Sequence, residues 1–257
     1  MVVIDESTCV GCGKCLDDCV SMSLFLREGK AEYAGNCINC GHCVAICPAR
    51  AVSIPEYDME DVHELGAGGS MTIDMLLNTI KSRRSIRRYT SKKIERSKLV
   101  NIIQAGRYTA TAVNRQACTF VLVQEQLETL KQMVWGSVEK AVAEGLSEAE
   151  PLKRLVGLRN KKNIDYLFRD APATLYIAAE NMWDAGLAAQ NMELAIVSQG
   201  LGALYNGFLV RSTMLSEDAK EMLHLDGKPL AVNMLLGYPD VGYISTAPRK
   251  KADVVWL

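Results

Sequence analysis

The chain has 257 residues, 49% hydrophobic and 23% charged, with a formal net charge of −1. Those proportions belong to a globular protein with a sizeable core, and they exclude extensive disorder and a broadly basic nucleic-acid surface. Apolar runs such as AVNMLLGY fall far short of the roughly 18–20 residues that span a bilayer, and the N-terminus lacks the basic start and apolar segment of a secretory signal. A cytoplasmic protein with no membrane contact is therefore expected.

Charge and cysteine are both concentrated at the head. Residues 1–65 hold four bases against eleven acids, a net −7, which leaves +6 for the remainder and suggests two units with separate tasks. Eight of the nine cysteines lie between residues 9 and 47. They form a repeat: CVGCGKCLDDC carries Cys9, Cys12, Cys15 and Cys19, and CINCGHCVAICP carries Cys37, Cys40, Cys43 and Cys47, each copy reading C-x2-C-x2-C-x3-C. Three thiolates at that spacing can wrap one face of an iron-sulfur cubane, while Gly11, Gly13 and Gly41 let the backbone come close to it. Zinc usually takes two C-x2-C knuckles across a longer loop, and disulfides are disfavoured in a reducing compartment, so both fit less well.

This head resembles a bacterial two-cluster ferredoxin over residues 1–58. The resemblance implies two 4Fe-4S clusters, with the fourth cysteine of each copy serving the other cluster: Cys9, Cys12, Cys15 with Cys47, and Cys37, Cys40, Cys43 with Cys19. His42 sits between two of these cysteines, where a hydrogen bond would tune a potential, although a solvated side chain is the commoner case. His63 and His224 suggest no role.

An acidic run ending in a glycine cluster reads as a linker over 59–71, with a second domain after it over 72–257. Ile73, Leu76, Leu77 and Ile80 give a helical spacing, and further helices are predicted at 96–107, 126–144, 150–160, 184–199 and 216–224. Strands are predicted at 119–124, 173–179 and 231–238, where apolar and β-branched residues run at strand length. Helices around a few buried strands imply an α+β fold. No G-x-G-x-x-G comes after a strand and no Walker-type loop is present, so neither a Rossmann nucleotide site nor a P-loop is supported.

The stretch KSRRSIRRYTSKK, Lys81–Lys93, is dense in Lys and Arg and has no acid. Guanidinium forks and a hydroxyl suit the oxygens of one phosphate monoester. RRSIRRY (83–89), TATAVNRQACTFVLV (109–123), DAGLAAQNMELAIVSQGLGALYNGF (184–208) and LLGYPDVGYISTAPRKK (235–251) share the order and approximate spacing of the nitroreductase family of FMN enzymes, which residues 72–257 resemble. The family's domain is a central mixed sheet surrounded by helices.

By that resemblance Arg83, Arg84 and Ser85 hold the phosphate and ribityl end of FMN, Arg87 lies near the ring's polar edge, and Arg249 and Lys251 form a second set of phosphate ligands. Asn114 and Gln116 match amides set against the flavin, commonly from the other subunit. The flanking Ala110, Thr111 and Ala117 depart from the family's Pro-Ser and Gln-Pro, which weakens the match at Gln116. Asn206 and Gly207 match the loop whose N–H faces flavin N5, where a donor stabilises the reduced anion. Cys118 reads as a core residue. In the segment 136–170, Tyr166 and Phe168 are candidate aromatic contacts of a substrate pocket, against the commoner reading of core or dimer contacts.

The whole chain thus resembles a ferredoxin-nitroreductase fusion. That resemblance implies a homodimer that reduces a nitroaromatic or similar small-molecule acceptor, with electrons from NAD(P)H or reduced ferredoxin. Two alternatives stand beside it: reduction of an activated C=C or carbon-halogen bond on the same fold, and an electron carrier or redox sensor without a substrate of its own.

Overall fold

The computed structural model describes residues 1–65, 71–225 and 227–257. They divide into two compact units, Met1–Ser70 with Thr111–Arg115, and Met71–Ala110 with Gln116–Leu257. The expected division is into 1–58, a linker 59–71 and 72–257. The change of unit falls between Ser70 and Met71, and a short segment from mid-chain groups with the head. Residues 66–70 of the expected linker lie outside the described residues. Met59–Asp61, also assigned to the linker, form a 3-10 turn whose first donors are capped by the Asp58 carboxylate, accepting from Glu60 N.

In the first unit the sequence repeat becomes a structural one. Gly13 and Gly41 take left-handed φ values of 75° and 76°, and each opens a short helix, α1 (Lys14–Asp17) and α2 (His42–Ile46). Gly11 is required for another reason: a Cβ there would fall 1.9 Å from the Gly29 carbonyl oxygen. Strand β1 (Val3–Ile4) pairs antiparallel with β4 (Val52–Ser53), and β2 (Leu24–Arg27) with β3 (Lys30–Tyr33). The β2–β3 hairpin turns on Glu28 and Gly29, both at positive φ, as a two-residue turn matching strand twist demands. Val2, Leu24, Ala31, Val52 and Ile54 form the small core together with Cys9, Cys15 and Cys43.

The second unit is built on a four-stranded sheet, β5 (Thr119–Val123), β6 (Ala173–Ala178), β8 (Leu230–Gly237) and β7 (Gly202–Tyr205) in that order across it. The strands pair antiparallel throughout; the parallel component of the expected mixed sheet is one bridge, Ser85 to Ala203, on the β7 edge. Helices cover both faces, so β6 is buried at every position and carries no polar alternation. Leu175, Ile177, Met234 and Leu236 face α4 (Arg96–Arg107) and α7 (Met182–Ser198). Gly106 of α4 lets Met192 of α7 approach within the space a Cβ would occupy. On the opposite face Tyr176 and Leu235 pack with α5 (Leu127–Ala143), including Leu130, Val134 and Trp135.

The remaining helices are α3 (Ile73–Ser82), α6 (Lys153–Lys162), α8 (Gly207–Met214) and α9 (Glu217–Met222). The helix expected at 150–160 begins late because Pro151 sits in a 3-10 turn, Ser147–Leu152, where a missing N–H is tolerated. Neither β7 nor α8 was anticipated. Phe168 is fully buried in the core, and Cys118 packs against the α4–α7 face. No helix among the described residues is long and apolar enough to cross a membrane.

Candidate functional site

The first unit gathers its thiols across the repeat. Cys15 lies within electrostatic reach of Cys47, Cys12 and Cys9. Cys19, Cys37, Cys40 and Cys43 line one enclosed cavity. The fourth cysteine of each copy is thereby brought to the triplet of the other copy. Burial pushes the Cys15 thiol up and that of Cys43 up to about 11, because a thiolate there would lose its hydration.

Backbone donors reach other thiols at equivalent positions of the two copies: Ser23 N–H donates to Cys19 Sγ and Ala51 N–H to Cys47 Sγ, both at 3.3 Å. Asn39 N–H donates to Cys37 Sγ at 3.2 Å and Ala31 N–H to Cys9 Sγ at 3.5 Å, and backbone donors at Ala31 and Gly11 hold the Cys9 thiol low. Soft ligands, a confined cavity and N–H groups aimed at sulfur suit an iron-sulfur group, whose potential such bonds tune. Among the described residues, no three His, Cys, Asp or Glu side chains converge closely enough to hold a single ion. His42 is exposed and meets Asp18 of the other copy, Nδ1 to Oδ2 at 3.0 Å, rather than a sulfur.

Asn114 belongs to this same unit. Its side-chain amide donates to the carbonyl of Asn39, between Cys37 and Cys40, at 2.7 Å, and lies 3.4 Å from the Tyr57 hydroxyl. Val113, Asn114 and Gln116 all have φ near +50°, which Asn tolerates and a β-branched valine does not.

In the second unit α3 ends at Arg83, where ψ reaches 143° and the chain becomes extended. The basic run then lies along the sheet edge. Ser85 bridges Ala203, Ile86 N–H donates to Ala203 O at 2.9 Å, and Tyr89 bridges Pro239. The Tyr89 hydroxyl is buried and donates to Ile86 O at 2.8 Å; burial pushes its phenol well up. Alternation results: Ile86 and Tyr89 point into the core, and Arg83, Arg84 and Arg87 stay accessible.

Arg83 Nη1 lies 3.4 Å from Oε1 of Glu193, a buried carboxylate on α7 that sequence reasoning did not single out. Burial raises the Glu193 carboxyl, and the Arg83 guanidinium opposes that rise. Arg84 stacks over the Tyr243 ring at 5.7 Å, which ties the basic run to the C-terminal segment. Arg249 donates to Pro248 O, both it and Lys251 are exposed, and no bond among the described residues joins either to Arg83, Arg84 or Ser85.

Beside Arg87 opens a cavity of about 640 Å³, also lined by Asn206, Gly207 and Tyr166. Asn206 is committed to structure. Its Oδ1 caps α8 by accepting from Leu209 N at 3.1 Å, and its Nδ2 donates to Leu167 O at 2.6 Å. It fixes the Tyr205–Gly207 corner and leaves the first N–H groups of α8 at the cavity. Sequence reasoning missed three further arginines there, Arg154, Arg169 and Arg211; they lie far apart along the chain and carry no spacing signature.

Both units resemble known proteins. Residues 80–238 match the nitroreductase family, and residues 1–60 match the 4Fe-4S dicluster domain. The NADPH-flavin oxidoreductase of Vibrio harveyi is 30% identical over 181 residues, which is 70% of this chain and 71% of that protein. An FMN-bound nitroreductase from Desulfitobacterium hafniense DCB-2 shares the fold with a TM-score of 0.58 at 20% identity, over 70% of this chain and 97% of its own. One from Bacteroides fragilis NCTC 9343 gives 0.57 at 22% identity, over 71% and 97%.

Proposed function

The chain belongs to the nitroreductase family and is an FMN-dependent oxidoreductase with a 4Fe-4S dicluster head; from there we propose that it reduces nitroaromatic or similar acceptors, with electrons from NAD(P)H or from reduced ferredoxin through two iron-sulfur clusters. One observation carries the flavin assignment. The strand of Arg83, Ser85 and Arg87 is stitched to β7, so phosphate-binding groups and the Asn206–Gly207 corner lie along one continuous edge.

Each side chain has a task on this reading. Arg83, Arg84 and Ser85 hold the phosphate and ribityl hydroxyls, and Arg249 and Lys251 close over the phosphate from the C-terminal segment. Arg87 would supply positive charge to the ring, and Gly207, at the corner fixed by the Asn206 cap, would offer its N–H to the reduced flavin. Gln116 supplies an amide to a flavin, as its family counterpart does, and Asn114 has only its Oδ1 left for that task, since its Nδ2 donates to Asn39 O. FMN, when bound, contributes the two-electron chemistry. Cys9, Cys12, Cys15 and Cys47 ligate one cluster, and Cys37, Cys40, Cys43 and Cys19 the other.

A homodimer in the cytoplasm is part of the proposal. In one chain α3 exposes Ile73, Met75 and Ile80, and the C-terminal end exposes Trp256 and Leu257. Apolar surface of that kind is covered by a partner in obligate oligomers.

The test is an anaerobic preparation assayed for iron, sulfide and flavin per chain, then reduced with dithionite and mixed with a nitroaromatic. Roughly eight irons and one FMN, with flavin reoxidised by the nitro compound, are expected. Bound flavin that no nitro compound reoxidises refutes nitro reduction. Full activity of cluster-ligand variants with every donor refutes the electron route.

A further inference from the structure

The cavity beside Gly207 is lined by four guanidiniums, Arg87, Arg154, Arg169 and Arg211, and by no acidic side chain. None of the four has a carboxylate partner among the described residues. Arg159, on the same helix as Arg154, shows the contrast: it pairs with Glu139 at 2.8 Å and stacks over Trp135, a structural arrangement. The acids near these arginines in sequence do not line the cavity: Asp170, next to Arg169, is exposed, Glu150 pairs with Lys153, and Asp165 is spent within its loop, its Oδ1 accepting from Trp135 Nε1, Leu167 N and Phe168 N.

A second observation has the same sign. The first N–H groups of α8, on Gly207 and Phe208, find no acceptor among the described residues, and both residues line the cavity. Helix N-termini favour anions. Four like charges in one concavity repel unless an anion neutralises them. Between the guanidiniums the wall is apolar, with Leu155, Leu158 and Phe208, and Arg169 stacks 4.4 Å from the Tyr166 ring. That apolar wall gives a planar ring a surface to lie against next to the charged groups.

We infer that this cavity takes a planar ring bearing an organic anion, and that the anion belongs to the electron acceptor: the enzyme selects acceptors that carry a carboxylate. Arg154, Arg169 and Arg211 are its specificity-determining residues. The inference rests on the FMN reading of the same site, which uses Arg87 for the flavin and leaves the other three without a task. Pyridine-nucleotide donors carry anionic phosphates as well, so the test separates donor from acceptor.

The holoenzyme is reduced anaerobically with dithionite, without a nucleotide donor, and mixed with 4-nitrobenzoate or its uncharged methyl ester while flavin reoxidation is monitored. The carboxylate is expected to react at least tenfold faster, and that advantage should vanish in Arg154→Ala and Arg211→Ala. Both arginines are exposed, so FMN content and thermal stability should stay at the wild-type level. Equal rates for acid and ester in the wild type, or an advantage that survives both substitutions, overturn the inference. So does a selective loss of flavin reduction by NADPH in the same variants, since the anion would then be the donor's. Perturbation of the oxidised flavin band by benzoate reads binding without turnover. If no nitro compound is reduced but benzoate binds and both variants abolish it, nitro reduction fails and the anion site stands.

Discussion

In the first unit the prospective ligands are themselves part of the buried core: Cys9, Cys15 and Cys43 pack with Val2, Leu24, Ala31, Val52 and Ile54. In the second, the assigned flavin ligands other than Asn206 are at least partly accessible, and the sheet is closed by helices on both faces. The head has strands of two and four residues and a core too small to outweigh chain entropy by a wide margin. A group that binds only the folded form therefore supplies much of its stability. The flavin unit owes its fold to apolar burial and presents most of its ligands, Asn206 apart, from the outside of a finished core.

The largest effect should come from removing the clusters. Iron chelation under oxidising conditions is expected to abolish amide protection in β1–β4 while β6 and β8 keep theirs and FMN stays bound, measured by hydrogen exchange. Equal loss in both units would break the contrast.

Next comes the crossing of the repeat. Cys19→Ser and Cys43→Ser should each remove the same cluster, so each variant and the double variant retain about half the iron. Cys19→Ser combined with Cys15→Ser should retain almost none. Half the iron in that last combination would mean that each copy of the motif serves its own cluster.

The two units were also unequally legible. The motif Cys37–Cys47 announced its chemistry because ligand spacing is local, and the chain cannot place those thiols elsewhere. Helix α4 matched its expected limits at 96–107, since Leu99 and Ile102 recur at helical spacing on one buried face. Strand β6 was visible because burial on both faces demands an unbroken apolar run. β1 and β4 are too short to carry any periodicity, and β7 hides in GALY beside Gly202, whose missing side chain makes room for Ile86. Glu193 and the cavity arginines could not be read at all. Their roles depend on residues more than forty positions away being folded against them.

A smaller effect concerns the Arg83–Glu193 pair. Because burial raises the Glu193 carboxyl above its unfolded value, its ionisation opposes folding, and that cost is absent below the unfolded pKa and grows as pH rises through the folded one. Arg83 limits the rise. Arg83→Ala should therefore weaken FMN binding and also lower thermal stability by about 1–3 kcal/mol, more at pH 8 than at pH 5. Glu193→Gln added to it should restore most of the stability without restoring the flavin. An equal loss at both pH values would mean that Arg83 acts through packing alone.

The smallest effect tests the short segment that groups with the head. Val113 is held at φ 47° and ψ 32°, a left-handed conformation that costs an L-residue with a Cβ roughly 1–2 kcal/mol, and its side chain is exposed, so little packing opposes a change. Val113→Gly removes the steric cost and adds about 0.5–1 kcal/mol of chain entropy to be lost on folding. The net should be a gain of up to about 1.5 kcal/mol, confined to the first unit and visible as slower amide exchange around Asn39, whose carbonyl Asn114 holds. A destabilised variant would show that Val113 makes contacts worth more than its strain. The segment would then be a packing element of the head, and its backbone conformation a consequence of that packing.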